Sequence, residues 1–182
     1  MRVIAGVHRG RRLVAPDTPD TRPVTDRAKE SIFSSIAALV PGAVVLDLYA
    51  GAGSFGVEAL SRGAAEAVFV ESGRKALAAL QTNLDALGFE DVTVVRGRVE
   101  DHVATRHGPF DLVFCDPPWA LPASDLTRVL ESVCPSLAPG GVVVLTRRAS
   151  DELPEPAGLA IADERRHGDT RIIRYTMESD HL

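Results

Sequence analysis

Residues 43–56 read AVVLDLYAGAGSFG, which is the pattern of a strand, a tight turn and the start of a helix. A run of β-branched and other apolar residues that reaches Asp47 is typical of a buried strand. The glycine-rich turn leads into a predicted helix, and Gly51 and Gly53 would let a ligand approach the backbone closely. The stretch therefore predicts a ligand site where the first strand of an α/β domain ends.

Outward from this stretch, predicted strands and helices alternate, which is typical of a parallel sheet with helices on both faces. Strands are predicted near residues 43–48, 66–71, 91–95, 110–115 and 141–146, and helices near 55–62, 74–87, 98–104 and 123–134. Two closing strands near 159–161 and 171–176 would pair across a turn at 168–170. The predicted fold class is therefore α/β, with a mixed sheet of seven strands.

Residues 1–24 are predicted to form a small extension of the domain, which spans residues 25–182. Segments 3–5 and 12–14 flank a glycine-bounded turn and predict a β-hairpin with a basic tip, followed by a linker. Thr25 or Asp26 is expected to cap a helix that ends at residues 41–42. The apolar face of that helix would carry Ala28, Ile32, Ile36 and Leu39.

Composition limits the class of protein. The 182 residues are 45% hydrophobic, which is ordinary for a globular domain. Cys115 and Cys134 lack the spacing of a metal site, and no apolar run reaches transmembrane length. The first residues include arginines but no apolar segment of a signal peptide. We therefore expect a cytoplasmic protein without a metal.

Positive charge is concentrated near the N-terminus, although the net charge is −5. Residues 1–30 hold seven Arg or Lys against four acids, a net of +3, so the remaining residues carry −8. This asymmetry favours a local phosphate-binding patch on an acidic body, and the alternative is a solvated arginine-rich hairpin. Arg147 and Arg148, after the fifth predicted strand, are weaker candidates for contact with phosphate.

Residues 115–119 read Cys-Asp-Pro-Pro-Trp and follow an apolar run that predicts a buried strand. Asp116 could accept one N–H of an amino group on a flat ring. The Pro117 carbonyl could accept the other, because Pro118 restricts its conformation. Both acceptors would face the positive charge that grows on an attacking nitrogen, and Trp119 could stack on the ring. The motif favours alkylation of an exocyclic amine, and the alternative is a turn capped by an aspartate.

A donor site is predicted beside it. Glu71 closes the second predicted strand, twenty residues after Gly51, where a carboxylate could hold two ribose hydroxyls. Gly51, Gly53 and Gly56 also match the G-x-G-x-x-G fingerprint of dinucleotide binding. Asp47 favours S-adenosylmethionine, because it could address the ammonium group of that donor and would lie too close to a pyrophosphate. The Asp-Pro-Pro-Trp run also has no role in hydride transfer.

Together these motifs resemble the class I S-adenosylmethionine-dependent methyltransferases that act on exocyclic amines. The N-terminus is similar to the bacterial RsmD family, and the resemblance runs from Met1 to about Tyr175. The segments that carry it are RVIAG at 2–6, GRRL at 10–13 and RPVTDR at 22–27, with Glu30 and Phe33. Gly73 and Arg98 depart from the family pattern, since many relatives carry an acid at the first position and an Asp or Asn at the second.

The resemblance implies a Rossmann-like class I methyltransferase fold and methylation of the N2 amine of one guanine in small-subunit (16S) ribosomal RNA. It implies S-adenosylmethionine as the donor, and a monomer that acts on an assembled or partly assembled small subunit. The residues assigned to catalysis are Asp116, Pro117 and Trp119. Those assigned to the donor are Asp47, Ala50, Gly51, Gly53, Glu71, Ser72, Arg98, Val99 and Asp116. Those assigned to RNA are Arg2, Arg9, Arg11, Arg12, Arg22 and Arg27.

Ligands of open α/β sheets bind beyond the carboxyl ends of the strands, so Asp47, Glu71 and Asp116 are expected along one carboxyl edge. The N-terminal hairpin is expected to sit over that edge and grip RNA. Three rival functions stay open: an adenine-N6 methyltransferase of RNA or DNA, an NAD-binding oxidoreductase, and a non-catalytic RNA-binding module.

Overall fold

The computed structural model describes residues 1–16, 24–102 and 108–178. Its strands are β1 (Val44–Leu48), β2 (Glu66–Glu71), β3 (Val92–Arg96), β4 (Phe110–Cys115), β5 (Leu137–Arg148), β6 (Leu159–His167) and β7 (Thr170–Met177). They form one sheet in the order β3-β2-β1-β4-β5-β7-β6. β1 to β5 are parallel, whereas β7 is antiparallel to β5 and to β6. The predicted mixed seven-stranded sheet is confirmed.

The described helices cover both faces of this sheet. They are α1 (Asp26–Ser35), α2 (Ser54–Ser61), α3 (Arg74–Leu87), α4 (Val99–His102) and α5 (Ala123–Val133), with a 3₁₀ turn at Cys134–Ser136. The first face of the sheet packs against α1, α2 and α3, and the second face packs against α4 and α5. None of these helices is long and apolar enough to span a membrane.

The core lies in two layers because side chains alternate between the faces along each strand. On the first face, Phe114 of β4 packs against Phe33 and Phe55, with ring centroids 5.4 Å and 5.2 Å apart. On the second face, Val113 lies in a cluster with Leu130 of α5. The central strands are therefore buried on both sides, which explains their nearly continuous apolar sequence.

The first helix begins as predicted and ends earlier. Thr25 is its N-cap, and its hydroxyl accepts a hydrogen bond from the Ala28 amide at 3.2 Å. α1 ends at Ser35, whose hydroxyl bonds the Ile32 carbonyl at 2.7 Å and competes with continuation of the helix. The expected end at residues 41–42 is wrong, and Leu39 is 40% exposed.

The N-terminal segment does not form the predicted pair of strands. An isolated bridge joins Arg2 and Arg12, and the amides of Val3, Gly10 and Leu13 donate to the carbonyls of Arg11, Val3 and Met1, so the two arms pair as a short irregular hairpin. The amides of Ile4 and Ala5 bond the Glu58 carboxylate of α2 at 2.8 Å and 3.0 Å. The backbone of Val14 exchanges two hydrogen bonds with the Asn83 side chain of α3. Side chains of two helices therefore hold this short hairpin in place.

The turn of this segment lies far from the carboxyl edge, which is the edge where β1 to β5 end. The Val7 amide bonds the Ser61 carbonyl at the last residue of α2, and Arg11 bonds the Ala86 carbonyl near the end of α3. α3 has 14 residues. At the rise of an α-helix it spans about 20 Å away from that edge. The expectation that the hairpin tip sits over the carboxyl edge is therefore wrong.

The two arms of the segment are anchored nearer the carboxyl edge. Lys29 of α1 donates to the Arg2 carbonyl at 2.6 Å and to the Ser54 hydroxyl, at the first residue of α2, at 3.4 Å. Lys29 is buried and also forms an ion pair with Glu58 at 3.4 Å. A buried network thus joins α1, α2 and the N-terminal segment.

Candidate active site

The ends of neighbouring parallel strands bring three carboxylates to the carboxyl edge. Asp47 lies near the end of β1, Glu71 ends β2, and Asp116 follows β4. The strands pair in register, with Leu48 opposite both Val70 and Cys115. Parallel pairing therefore collects residues far apart in sequence, as the alternation of elements predicts.

The glycine turn after β1 has two different roles. Gly51 has a φ of +58°, and a Cβ at this position would meet only the Tyr49 carbonyl at 4.0 Å. Its backbone is therefore open to a ligand. Gly53 has a φ of +86°, and its Cβ would lie 2.6 Å from a methyl of Leu80. The absent side chain of Gly53 therefore faces the core, which explains the need for glycine, and close approach of a ligand to its backbone stays a prediction.

Asp47 stabilises this turn through a buried hydrogen bond. Its Oδ2 accepts a hydrogen bond from the Gly56 amide at 2.8 Å, and its Oδ1 is buried without a partner among the described residues. Burial raises the pKa of Asp47 well above its ordinary value, and the charges of Asp116 and Glu71 raise it further, against the opposing Gly56 bond. An unsatisfied buried carboxylate oxygen is costly, so Oδ1 is suited to a cationic ligand group.

Glu71 accepts hydrogen bonds from backbone amides of the glycine turn and of the residues that follow β2. Its Oε2 accepts from the Gly51 amide at 2.8 Å, and its Oε1 accepts from the amides of Ser72 at 2.9 Å and Gly73 at 2.6 Å. A carboxylate offers about four acceptor positions, so one remains for a ligand hydroxyl. Ala50 is buried, and its amide bonds the Val70 carbonyl of β2. Glu71 therefore supports the backbone of the turn, which its sequence position did not reveal.

Asp116 is fixed by a residue that sequence reasoning missed. The hydroxyl of Thr146, near the end of β5, donates to Asp116 Oδ1 through a short hydrogen bond. Burial raises the pKa of Asp116 to about 6, whereas the Thr146 bond lowers it. The group is therefore a carboxylate at neutral pH, with one oxygen anchored. The β4–β5 register that brings the pair together is non-local, and no local signal marks it.

The loop after Asp116 is held by the next residue of β5. Arg147 is buried, and its guanidinium donates to the carbonyls of Pro118 at 3.5 Å and Leu121 at 3.1 Å. It also pairs with Asp151 at 3.1 Å. Among the described residues the Pro117 carbonyl has no such bond. Arg147 is therefore unsuited to contact phosphate, and the Pro117 carbonyl remains an open acceptor.

Trp119 carries a second unexpected contact. The Arg148 guanidinium lies over its ring, 4.5 Å from the centroid. Trp119 is half-buried and Arg148 is exposed. One face of the indole is thus occupied by a cation, and a flat ligand would stack on the other face.

The second face of the edge carries a strained tyrosine. Tyr49 has a φ of +56°, which is uncommon for a non-glycine residue and typical of functional turns. Its hydroxyl donates to Glu100 at 3.0 Å, and burial raises its pKa. Arg98 is exposed and pairs with Glu100 at 3.4 Å, whereas Val99 is buried in the second-face core. Of the two residues predicted to bind the donor, Arg98 is therefore an exposed, ion-paired charge and Val99 a packing residue, and their role stays a prediction.

The described arginines that are predicted to bind RNA lie on the N-terminal segment and on α1, and Arg2 is directly opposite Arg12. Arg9, Arg11 and Arg12 are exposed on the N-terminal segment, while Arg27 is exposed on α1. Arg2 is exposed and pairs with Asp26 at 2.8 Å. The predicted contact Arg22 lies outside the described residues. In the described part of the chain, no group of three or more His, Cys, Asp or Glu is placed to hold a metal ion.

The chain is similar to known proteins and to solved structures over nearly its full length. A family model described as Conserved hypothetical protein 95 matches residues 1–176. The chain is 33% identical over 180 residues to Ribosomal RNA small subunit methyltransferase D of Escherichia coli (strain K12), covering 98% of this chain and 91% of the relative. It is 36% identical to a Bacillus subtilis (strain 168) protein named as the rRNA methyltransferase YlbH, covering 96% and 98%. A solved structure from Escherichia coli, named as the methyltransferase yhhF, has a TM-score of 0.85 at 33% identity and covers 98% of both chains.

Proposed function

Because the chain belongs to the RsmD family, we propose that it transfers a methyl group from S-adenosylmethionine to the exocyclic N2 amine of a guanine in small-subunit (16S) ribosomal RNA. The observation that carries the proposal is the acceptor pair at the end of β4. The Asp116 carboxylate is anchored by Thr146, and the neighbouring Pro117 carbonyl accepts no hydrogen bond among the described residues. Both lie on the edge that also holds the glycine turn.

The acceptor pair suits a weakly nucleophilic aromatic amine. One N–H of the amine donates to Asp116 and the other to the Pro117 carbonyl, which orients the nitrogen for attack. Positive charge grows on the nitrogen as the new N–C bond forms and the methyl–sulfur bond of the donor breaks, with the electron pair left on a neutral thioether, and both acceptors stabilise that charge. The proton is lost readily from the cationic nitrogen, so no strong general base is required. Trp119 stacks on the guanine and keeps it edge-on to Asp116.

The donor site fits the chemistry of S-adenosylmethionine, which supplies an electrophilic methyl group when bound. The buried Oδ1 of Asp47 matches its ammonium group, and the open backbone at Gly51 permits close approach. The remaining acceptor position of Glu71 matches a ribose hydroxyl. A dinucleotide fits less well, because Asp47 would lie close to its pyrophosphate.

The RNA partner must be large and structured. The target guanine leaves its stack to reach Asp116, which costs a few kcal/mol. Arg11 bonds the Ala86 carbonyl near the end of α3, whereas Asp116 lies at the carboxyl edge, so an RNA that reaches both places spans one side of the molecule. We therefore favour an assembled or partly assembled small subunit as substrate for a cytoplasmic monomer.

The decisive experiment is methyl transfer to small-subunit particles and to naked 16S RNA, with the modified base mapped by mass spectrometry. Asp116→Ala is expected to lower the rate ~10²–10³-fold, by analogy with loss of one charge-stabilising contact. Its affinity for S-adenosylmethionine, measured by calorimetry, is expected to change little. Asp125→Ala, at an exposed position of α5, is the matched control.

Each rival predicts a different result. Methyl on adenine N6 would replace the proposed base, and binding of NAD in place of S-adenosylmethionine would establish the oxidoreductase. Donor binding that is absent altogether would leave an RNA-binding module. Near-normal turnover by Asp116→Ala would overturn the assigned mechanism.

A further inference from the structure

A second exposed cationic surface lies next to the candidate active site, at the far edge of the sheet. In β5 and β7, Arg148 is directly opposite Thr170, and in β7 and β6, Thr170 is directly opposite His167. Two residues earlier on β5, Thr146 is opposite Ile172 of β7, and Ile172 is opposite Arg165 of β6. These residues form two parallel rows that cross three strands.

Both rows lie on the first face of the sheet. Directly opposed residues on adjacent strands point to the same face. Ile172 belongs to the first-face core, and Thr146 donates to Asp116. Arg148 and Arg165 therefore project on the same side as Asp116. Two strand spacings separate β5 from β6, which is about 10 Å.

The positive charges of these rows are available to solvent. Arg148 and Arg165 are exposed. Arg165 pairs with Asp163 at 2.8 Å, but the two side chains are 41% and 31% exposed. Such a solvent-exposed pair is weak and can be exchanged for a phosphate. Arg148 keeps its position through the Trp119 ring, so its charge lies beside the place where the flat ligand stacks.

We propose that Arg148 and Arg165, with the intervening Thr170 and His167, form a docking surface for the backbone phosphates of the RNA beside the target guanine. The proposal of this Arg148–Arg165 surface rests on the proposed function. RNA phosphate is the expected partner because its negative charge complements the arginines and because the surface adjoins the acceptor site. Phosphate contacts position a nucleic acid and do not read its sequence. The surface would hold one flank of the extruded nucleotide.

The alternation of the strand supplies a matched control. Arg166 follows Arg165 on β6 and is also exposed, but it is opposite Arg171 and so projects on the second face. Its Nε donates to the Gly168 carbonyl at 3.0 Å. Arg165→Gln and Arg166→Gln remove the same charge from adjacent, exposed positions of one strand, on opposite faces of the sheet.

The test is a salt titration of binding to 16S RNA or small-subunit particles, with methyl-transfer kinetics and thermal unfolding for each variant. Arg165→Gln is expected to flatten the slope of log affinity against log salt by about one counterion and to raise KM without lowering kcat. Arg148→Gln is expected to flatten the slope and also to lower kcat, because Trp119 loses its support. Arg166→Gln should match the wild type.

Equal effects of Arg165→Gln and Arg166→Gln, or no effect of Arg165→Gln, would overturn the docking surface. The proposed function fails separately, if the wild-type protein does not methylate guanine N2. A wild type that methylates another base while Arg165→Gln still flattens the slope would leave the surface standing.

Discussion

The Thr146 hydroxyl donates a hydrogen bond to Oδ1 of Asp116 and so joins the end of β5 to the end of β4. Burial raises the pKa of Asp116 and this bond lowers it, and with both effects the pKa is about 6. Because the proposed chemistry needs the carboxylate, the rate of methyl transfer is expected to rise with pH through about 6. The pair therefore sets the pH range in which the site works.

Thr146→Val removes the donor and should raise the pKa of Asp116. A hydrogen bond to a charged group is worth about 1.5–3 kcal/mol, which corresponds to about one pH unit or more. The pH–rate profile of the variant is expected to move to higher pH, with recovery of the rate in alkaline buffer. Thr146→Ser keeps the donor and should retain the wild-type profile. An unmoved profile for Thr146→Val would show that the bond does not tune Asp116.

Asp116 is also expected to reduce stability at neutral pH. Its pKa is about 6 in the folded protein against an ordinary value of 3.8, so the unfolded chain loses this proton first. The free energy of unfolding therefore falls as pH rises from about 4 to about 6, by at most about 3 kcal/mol. Asp116→Asn has no ionisable group at this position, so its free energy of unfolding should not fall for this reason over the same pH range. Urea unfolding should show the variant more stable than wild type at pH 8 and similar at pH 4; a constant difference at every pH would contradict this.

The glycines of the turn are expected to separate stability from donor binding. At Gly56 a Cβ would clash with the Phe69 ring and lie 3.2 Å from Asp47 Oδ2, so Gly56→Ala should cost about 1–3 kcal/mol of stability. At Gly51 the space is open, and Gly51→Ala should cost only the strain of its positive φ, about 1 kcal/mol. Calorimetry should nevertheless show weaker binding of S-adenosylmethionine to Gly51→Ala. The opposite order of stability would refute the assigned roles.

Glu58 is expected to be the most sensitive residue of the N-terminal interface. Its carboxylate faces buried Lys29 at 3.4 Å and Arg62 at 2.7 Å. Glu58→Gln leaves the Lys29 charge buried without compensation and should cost about 3–5 kcal/mol in urea unfolding. Replacing Lys29 by Met in the same chain should recover part of that loss. If the double variant is less stable than Glu58→Gln alone, the charge is not the cause.

The arginines of the N-terminal turn are expected to contact RNA phosphates at a distance from the chemistry. Arg9→Ala with Arg11→Ala should weaken RNA binding and flatten its salt dependence by about two counterions. The affinity for S-adenosylmethionine should be nearly unchanged, because the Arg11 side chain bonds the Ala86 carbonyl near the end of α3 and, in the described part of the chain, bonds no residue assigned to the donor. Arg128→Ala on the second face is the control. An unchanged slope would mean that the turn is a solvated surface and that RNA docks elsewhere.

Local sequence patterns predicted most of the elements. The bounds of α3 and β2 agree with the structure at both ends, because glycine and charged residues interrupt strong apolar periodicity there. The parallel sheet follows from the alternation of elements, and with it the meeting of Asp47, Glu71 and Asp116 at one edge.

The contacts that depend on packing between distant segments could not be predicted in this way. Thr146 contacts Asp116 only because of the register of β4 and β5. Arg148 contacts Trp119 only because the loop after β4 lies beside the end of β5. The role of Gly53 is decided by Leu80, 27 residues later in α3. The N-terminal hairpin pairs its arms without regular strands, because Glu58 and Asn83 bind amides of the two arms, and turn chemistry alone does not show these partners.

The attachment of the N-terminal segment to α2 and α3 also orders the events of folding. Ile4 bonds a residue 54 positions away and Val14 one 69 positions away. Contacts of such long sequence separation close large loops, and the chain recovers that entropy only after the distant partners are in place. On the ribosome, the residues synthesised first must therefore wait until both helices have emerged and docked. We therefore expect the N-terminal segment to dock late in folding, after the helices that bind it have formed.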